Sequence, residues 1–217
     1  NLAKANKELQ ELYDLEGSDK MQILKLLTRL RQLCLEPRLV YDNIDQPSSK
    51  LKACMELIKT MQENKQKVLL FSSFTSVLDL IAEECQKAGI TYYMLTGSTN
   101  KEDRRELVSR FQKDDTTVFL ISLKAGGTGL NLTSAETVIH FDPWWNVSAQ
   151  NQATDRAYRI GQKNNVQVFN LVMKDSVEEK IIELQKRKKE LADMFVENNS
   201  GGLSQMSKED ILSLFTM

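Results

Sequence analysis

Five short apolar runs divide the middle of the chain, and each run is rich in Val, Ile, Leu or Phe. The runs span Val68–Phe71, Tyr92–Leu95, Val118–Ser122, Val138–Phe141 and Val166–Val172. Between them, apolar residues recur three and four positions apart, which is the pattern of an amphipathic helix. These helical patterns span Ser76–Lys87, Lys101–Gln112 and about Ala149–Tyr158. Strands that alternate with helices predict an α/β core, in which helices cover both faces of a parallel sheet.

Helical patterns flank this core on both sides. The first 50 residues predict two helices, with a break at Gly17–Asp19 between them and an end at Pro37. After the last run, a long amphipathic helix is predicted from Ser176, and a short final helix over Lys208–Phe215. The predicted parts of the chain are a helical lead-in with a linker (1–50), an α/β lobe (51–173) and a bracing helix with a tail (174–217).

The charge balance excludes a general electrostatic attraction to nucleic acids or membranes. The 217 residues include 29 Lys and Arg against 30 Asp and Glu, so the formal net charge is −1. Any contact with DNA must therefore be local. No apolar run approaches the roughly 18 residues of a membrane span, and no signal peptide is recognisable. The three cysteines are scattered and the one histidine cannot form a two-histidine site, so we expect an intracellular protein without metal ligands.

In an open parallel sheet, ligands bind at the carboxyl ends of the strands, so the segments that follow strands are the candidate sites. The third run is followed by a loop with three glycines in four residues, Gly126, Gly127 and Gly129. Such a loop lets backbone amides approach an oxyanion closely, although a tight turn explains the glycines equally well. The sequence contains neither a Gly-Lys nor an Asp-Glu dipeptide, so the chain is not a complete P-loop ATPase.

Two further segments carry candidate chemistry. Trp144 and Trp145 follow the fourth run; either one fills the core and the other covers it, or they act as a lever between a nucleotide site and a nucleic-acid groove. Gln152, Arg156 and Arg159 follow at i, i+4 and i+7, so they would share one face of a helix. Arginines on one face suit phosphate, because the guanidinium is always charged and donates in a planar fork. The alternative is a solvated basic face that pairs with a nearby aspartate.

Taken in order, these motifs resemble the second motor lobe of Swi/Snf-family DNA translocases, which belong to helicase superfamily two. The segments that carry the resemblance are L-R-Q-L-C-L-E-P (30–37), S-S-K-L (48–51), V-L-L-F-S-S-F-T (68–75), L-T-G-S-T (95–99), L-K-A-G-G-T-G-L-N-L (123–132), D-P-W-W-N (142–146), Q-x-x-D-R-x-x-R-I-G-Q (152–162) and D-S-V-E-E-K-I (175–181). The resemblance spans nearly the whole chain and implies a RecA-like fold. Four positions depart from the common family pattern: Glu36, Ser73, Val147 and Tyr158.

The resemblance also implies roles for individual residues. Arg156 and Arg159 would be catalytic arginine fingers that reach the phosphates of ATP bound to the other lobe. The implied nucleotide contacts are Gly129, Asn131 and Gln152. The implied contacts to DNA phosphates, which position without reading sequence, are Ser73, Thr96, Gly97, Ser98, Lys124, Ala125, Gly126 and Gly127. Trp144 and Trp145 would couple the DNA and ATP sites.

The resulting hypothesis is the second lobe of an ATP-dependent translocase of double-stranded DNA. The resemblance implies that ATP and Mg are held mainly by an N-terminal motor lobe, so this chain alone should hydrolyse no ATP and bind DNA weakly. The alternative is a scaffold module that binds a nucleotide or phosphate without catalysis. Because the chain begins with Asn1, we expect it to be part of a longer protein. A bacterial source is favoured, with a cytoplasmic or nucleoid location; a eukaryotic source would imply the nucleus.

Two polar features are interpreted without a ligand. His140 lies inside an apolar run, so we predict a core or strand-end histidine. The basic run Lys186–Lys189 lies near Glu183 and Glu190, which predicts a solvated helix face with ion pairs to these carboxylates rather than a DNA contact.

Overall fold

The computed structural model describes residues 20–126, 130–144, 146–158 and 165–197. Their five strands form one all-parallel sheet in the order β2-β3-β1-β4-β5. The strands are β1 (Val68–Ser72), β2 (Tyr92–Leu95), β3 (Val118–Ser122), β4 (Thr137–His140) and β5 (Gln167–Asn170). All five predicted strands are confirmed. The fifth is shorter than predicted, and three of its four residues are exposed, as expected at the edge of a sheet.

Seven α-helices accompany the sheet in the described residues. They are α1 (Lys20–Leu35), α2 (Ser49–Glu63), α3 (Thr75–Lys87), α4 (Lys101–Lys113), α5 (Leu123–Gly126), α6 (Val147–Thr154) and α7 (Val177–Glu197). Helix α1 ends at Leu35, just before Pro37, as predicted, and a 3₁₀ turn, Pro37–Leu39, follows it. The predicted helices that correspond to α1, α3, α4 and the start of α7 are confirmed.

Two helix predictions were incomplete. The helix α2 was not predicted, although Leu51, Cys54, Met55 and Ile58 repeat with helical spacing and are all buried. The helix predicted to reach Tyr158 instead ends at Thr154, where the chain enters a series of turns. The helix predicted around Leu2–Leu12 and the final helix over Lys208–Phe215 lie outside the described residues.

The two faces of the sheet carry two separate hydrophobic clusters. All five residues of β1 are buried, because this strand lies at the centre of the sheet. Alternate residues of a strand point to opposite faces. Val68 and Leu70 therefore pack with α2 and α3, whereas Leu69 and Phe71 pack with α4 and α6. The predicted arrangement of helices on both faces is confirmed.

The lead-in helix α1 packs against α7. Leu26, Leu30 and Leu33 of α1 form a third cluster, to which Val177 at the start of α7 adds. Segments from the two ends of the described chain thus meet beside the sheet. The division of the chain at residues 50 and 173 stays a prediction. No helix among the described residues has the length and apolar character required to cross a membrane.

Candidate functional site: the carboxyl edge of the sheet

The parallel strands bring the predicted site segments to one edge of the sheet, as expected. β1 runs into the turn Ser73–Phe74, β2 into the loop Thr96–Thr99, β3 into α5, and β4 into Asp142–Trp144. Segments up to about 70 residues apart in the sequence therefore lie side by side. This edge is the candidate site.

Asp142 is the centre of a buried hydrogen-bond network at this edge. Its side chain is 1% exposed. Oδ1 accepts from the Ser72 hydroxyl at 2.7 Å and from the Ser73 amide at 3.0 Å. Oδ2 accepts from Nη2 of Arg31 at 2.9 Å and from the Ser73 hydroxyl. Burial of a carboxylate is costly unless it is paired and hydrogen-bonded, and both conditions are met here.

Arg31 provides the opposing charge from helix α1. Burial lowers the pKa of this guanidinium, while the charge of Asp142 opposes that shift. Arginine titrates so far above neutrality that it remains charged. The Arg31–Asp142 contact is therefore an ion pair that fastens α1 to the carboxyl ends of β1 and β4.

Ser73 turns its polar groups toward the protein. Its amide donates to Asp142, and its hydroxyl both donates to Asp142 and accepts from Arg31. A DNA phosphate would have to compete with a buried carboxylate for both donors. The DNA contact of Ser73 stays a prediction, and the geometry favours a role inside this network.

Trp144 is half-buried and connects the edge to three other elements. Its amide donates to Oε1 of Gln150 on α6 at 3.2 Å, and its carbonyl accepts from Nε2 of Gln185 on α7. Gln150 in turn donates to Asn170 at the end of β5 at 2.9 Å. The side chain of Trp144 packs against the cluster that contains Leu69. Trp145 lies outside the described residues.

The loop after β2 is built differently. Gly97 and Ser98 are exposed, and the loop is held by local bonds: Thr96 N donates to Thr99 Oγ1 at 3.1 Å, and the hydroxyls of Thr96 and Ser98 lie 2.8 Å apart. Beside it, a cleft of about 580 Å³ opens between α4 and the segment 130–131. Its lining residues are Thr99, Lys101, Arg104, Arg105, Val108, Leu130 and Asn131. Three basic side chains thus face one open cleft.

The glycine-rich segment ends next to the predicted arginine motif. The Leu132 amide donates to the carbonyl of Arg156 at 3.0 Å, and the neighbouring Asn131 carbonyl accepts from Gln112 at 2.7 Å. Lys124 is exposed, whereas Ala125 is buried and its carbonyl accepts from Arg104 at 3.3 Å. A backbone hydrogen bond therefore joins two segments with predicted nucleotide contacts.

The predicted helical face of Gln152, Arg156 and Arg159 is wrong for its first two members. Helix α6 ends at Thr154, and the amides of Arg156 and Ala157 then close tight turns onto the carbonyls three residues earlier, at 3.2 and 3.1 Å. Arg156 is 3% exposed, whereas Gln152 is exposed. The turns carry Arg156 inward beside Ala157, which is part of the core. Arg159, Gly127 and Gly129 lie outside the described residues, and Gly126 is described only as the end of α5.

A second buried ion pair, between Lys50 and Glu178, lies close to this edge of the sheet. Both oxygens of Glu178 on α7 accept from Lys50 Nζ of α2, at 2.6 and 2.7 Å, and both side chains are nearly inaccessible. Lys50 Nζ lies 5.3 Å from the ring centre of Phe141, next to Asp142. Burial raises the pKa of Glu178, and Lys50 opposes that shift.

Four buried charged residues of this region were not predicted as functional from the sequence, although each lies in a motif that carries the family resemblance: Arg31, Asp142, Lys50 and Glu178. For Arg31 the available signal was a charge among the leucines of residues 30–35, whereas the segments around Lys50 and Glu178 are polar and gave no such signal. The sequence did not identify the ion-pair partner of either basic residue, because 111 positions separate Arg31 from Asp142 and 128 separate Lys50 from Glu178.

The predictions for His140 and Arg187 are confirmed. His140 is buried at the end of β4, its Nε2 lies 2.9 Å from the Thr154 hydroxyl, and its ring stacks on Phe71 with 5.6 Å between centres. Burial lowers its pKa to about 4, so it is neutral at pH 7. Arg187 is exposed and pairs with Glu183 at 2.7 Å. In the described part of the chain, no three His, Cys, Asp or Glu side chains group as metal ligands.

The chain is similar to helicase lobes over nearly all of its length. Residues 49–161 match the helicase conserved C-terminal domain family. A protein of Mycoplasma pneumoniae described as an "Uncharacterized ATP-dependent helicase" is 38% identical over 95% of this chain and 20% of its own length. The Sulfolobus solfataricus SWI2/SNF2 ATPase C-terminal domain is 27% identical, with a TM-score of 0.74 over 98% of this chain and 91% of that chain. The S. solfataricus SWI2/SNF2 ATPase core in complex with dsDNA is 31% identical, with a TM-score of 0.73 over 91% of this chain and 43% of that chain.

These matches fix the family and the fold. The chain belongs to the helicase conserved C-terminal domain family. Its structure is the RecA-like C-terminal lobe of the Swi/Snf type, as the resemblance implied. The chain spans about a fifth of the length of the curated relatives that it matches.

Proposed function

We propose that this chain is the second motor lobe of an ATP-dependent translocase of double-stranded DNA. One observation carries the proposal: the bond from Leu132 to Arg156 joins the end of the glycine-rich segment to the arginine motif, the two segments with predicted nucleotide contacts. The likeness to a SWI2/SNF2 core in complex with dsDNA and to ATP-dependent helicases supports both ligands. In this proposal ATP lies between this lobe and an N-terminal lobe.

On the nucleotide side, Arg156 and Arg159 are the proposed arginine fingers, and Gly129, Asn131 and Gln152 line the cleft. A guanidinium near the transferring phosphoryl group stabilises the charge that develops there. Arg156 is buried next to the Leu132 contact, so the arginine-finger proposal depends chiefly on Arg159, which lies outside the described residues. In this proposal magnesium is held with ATP, mainly by the other lobe, as the resemblance implies.

On the DNA side, the exposed loop Thr96–Ser98 and Lys124 are the proposed phosphate contacts. Hydroxyls, exposed amides and a lysine hold the backbone without reading its sequence. The residues Ala125, Gly126 and Gly127 would add backbone contacts, and Ser73 would support them through Asp142. A net charge of −1 leaves DNA binding to such local groups.

The experiment that tests the function is ATP turnover by a protein that carries this chain together with the N-terminal lobe. We expect turnover that rises when duplex DNA is added, and none from the 217-residue chain alone. Turnover by the isolated chain would contradict the proposal. A two-lobe protein that binds nucleotide and DNA without hydrolysis would favour the scaffold alternative.

Gly97 offers a matched pair of variants for the DNA side. No atom lies within 4 Å of a Cβ added at this position, and its backbone needs no left-handed conformation, so Gly97→Ala should fold normally. Gly97→Asp places a negative charge in the proposed phosphate contact. The affinity of the two-lobe protein for duplex DNA is measured by fluorescence anisotropy at fixed salt. We expect Gly97→Asp to weaken this affinity about tenfold and Gly97→Ala to change it less than about twofold. Equal affinities would place DNA elsewhere on the lobe.

A further inference from the structure

Arg31 connects turns that lie far apart in the sequence. Its Nη2 donates to the Ser73 hydroxyl at 2.9 Å, to Asp142 Oδ2 at 2.9 Å and to the Pro143 carbonyl at 3.3 Å. These partners follow β1 and β4, whereas Arg31 lies on α1, before the sheet begins. One nitrogen of a single side chain therefore ties the two turns to each other and to the lead-in helix.

Aromatic rings hold the same guanidinium in place. Its carbon lies 4.9 Å from the ring centre of Phe74 and 5.9 Å from that of Trp144. A planar guanidinium can donate hydrogen bonds in its plane while its faces rest on rings, which a lysine ammonium cannot do. The side chain is 8% exposed, so water does not replace these contacts. The environment is specific for arginine.

The contacts of Arg31 continue toward the proposed nucleotide side. Trp144 bonds through its amide to Gln150 of α6, and α6 leads directly into the turn that contains Arg156. On the other side of Arg31, Ser73 and Phe74 form the turn that immediately precedes α3. A shift of the Arg31 guanidinium would therefore move the Trp144 segment relative to the turn after β1.

We propose that Arg31 is the positioning residue that sets the Trp144 segment against the turn Ser72–Phe74, and that α1 thereby takes part in coupling DNA binding to ATP turnover. The effect on turnover rests on the proposed function; the effect on the position of Trp144 does not. Arg31 touches neither ligand in this proposal. It acts through Asp142 and Trp144.

Fluorescence of Trp144 tests the positioning directly. In the 217-residue chain with Trp145→Phe, Trp144 is the one remaining tryptophan. Arg31→Met is expected to increase acrylamide quenching of Trp144 and to shift its emission to longer wavelengths. The matched control is Arg29→Met, an exposed arginine two residues away on the same helix, which should change neither. Unchanged quenching in a folded Arg31→Met chain would overturn the proposal.

Turnover by the two-lobe protein tests the consequence for coupling. Arg31→Met is expected to lower kcat of DNA-stimulated turnover about tenfold or more, the size expected from the loss of hydrogen bonds to a charged group. The KM for ATP and the duplex affinity should stay within about twofold, because Arg31 binds neither ligand. Arg31→Lys should restore only part of kcat, since it keeps the charge and loses the stacking.

The outcomes separate this inference from the proposed function. A wild-type kcat in Arg31→Met, or a kcat that falls only in step with duplex affinity, would overturn the role in coupling. A wild-type two-lobe protein without DNA-stimulated turnover would refute the proposed function, while the quenching of Trp144 would still decide the positioning role. If Arg31→Met does not fold, Arg31→Lys carries both measurements, and full wild-type values in that variant would contradict the proposal.

Discussion

Two halves of the same sheet edge are built in opposite ways. We call the first the anchored half: Arg31, Ser73, Asp142 and Trp144, with the Lys50–Glu178 pair behind them. Its charges are buried and paired with one another. We call the second the open half: the loop Thr96–Thr99, which is held by bonds within the loop, and the cleft beside α4, which basic side chains line. The anchored half keeps its charges inside the protein, whereas the open half presents basic side chains to a cleft, so we predict that a phosphate binds in the open half.

The largest expected effect is on the free energy of unfolding, at the Lys50–Glu178 pair of the anchored half. Lys50→Met removes one partner of a buried ion pair and leaves Glu178 buried without its counter-charge. We expect a loss of about 3–5 kcal/mol in the free energy of unfolding, measured with urea and circular dichroism. Lys52→Met, an exposed lysine on the same helix, is the matched control and should cost less than about 0.5 kcal/mol. The double variant Lys50→Met/Glu178→Leu should recover most of the loss.

Equal losses of stability in the two lysine variants would contradict this prediction. If Lys50→Met and Lys52→Met lose equal stability, then the Lys50–Glu178 pair does not anchor α7 to α2. The contrast between the two halves would then rest on Arg31 and Asp142 alone.

The second effect is a pH dependence at His140. Burial lowers its pKa to about 4, whereas the unfolded chain titrates near the ordinary value of about 6.5. Above pH 6.5 both states are neutral and the stability is fully present. Between pH 6.5 and 4 only the unfolded chain gains the proton, so stability falls as the pH falls, by roughly 3 kcal/mol at pH 4. His140→Gln should lack this part of the pH dependence.

The pKa of His140 can be measured directly by NMR. His140 is the single histidine of the chain, so an NMR titration of an untagged protein follows one imidazole. A midpoint near 6.5 would show that His140 is solvated, and the packing on Phe71 and Thr154 would then be wrong.

The third effect belongs to the open half. Asn100 caps α4, because its side-chain oxygen accepts from the Asp103 amide at 2.8 Å. Asn100→Ala should therefore destabilise the chain by about 1 kcal/mol in urea unfolding. Asn100→Ser keeps an acceptor for the Asp103 amide and places no second carboxylate beside that of Asp103, so it should remain within about 0.5 kcal/mol of the wild type. A cost for Asn100→Ala as large as that of Lys50→Met would remove the distinction between local and long-range anchoring.

The smallest effect is expected at the exposed pair of α7. Glu183 and Arg187 are both largely in solvent, so Arg187→Ala should cost less than about 1 kcal/mol. Added salt should reduce even that difference, since exposed pairs are screened. A larger, salt-independent cost would show that this part of α7 is packed against another element.

The architecture was predictable from the sequence because its strands are short, apolar and bounded by polar turns. The extent of α6 was not, because the spacing of Gln152 and Arg156 fits a helix equally well. Tertiary packing of Ala157 and the bond from Leu132 decided in favour of turns. Helix α2 was predictable from its apolar spacing and was overlooked.

The candidate site was predictable only in its location. Strand order and the edge rule place the loops together, and the family resemblance supplies roles for individual residues. The partners of Arg31 and Lys50 were not predictable, because a buried ion pair joins residues more than 100 positions apart and leaves no periodic signal. Ser73 shows the reverse case: the family resemblance implied a DNA contact for it, and its bonds point into the protein.

The central claim is that this lobe completes an ATPase site with an arginine. The most direct test is DNA-stimulated ATP turnover by the two-lobe protein, with Arg159→Ala compared with the wild type. We predict a fall of about a hundredfold or more, with folding and duplex affinity intact, because an arginine finger acts on the transition state. Unchanged turnover would contradict the account and would favour a scaffold in which the arginine motif is structural.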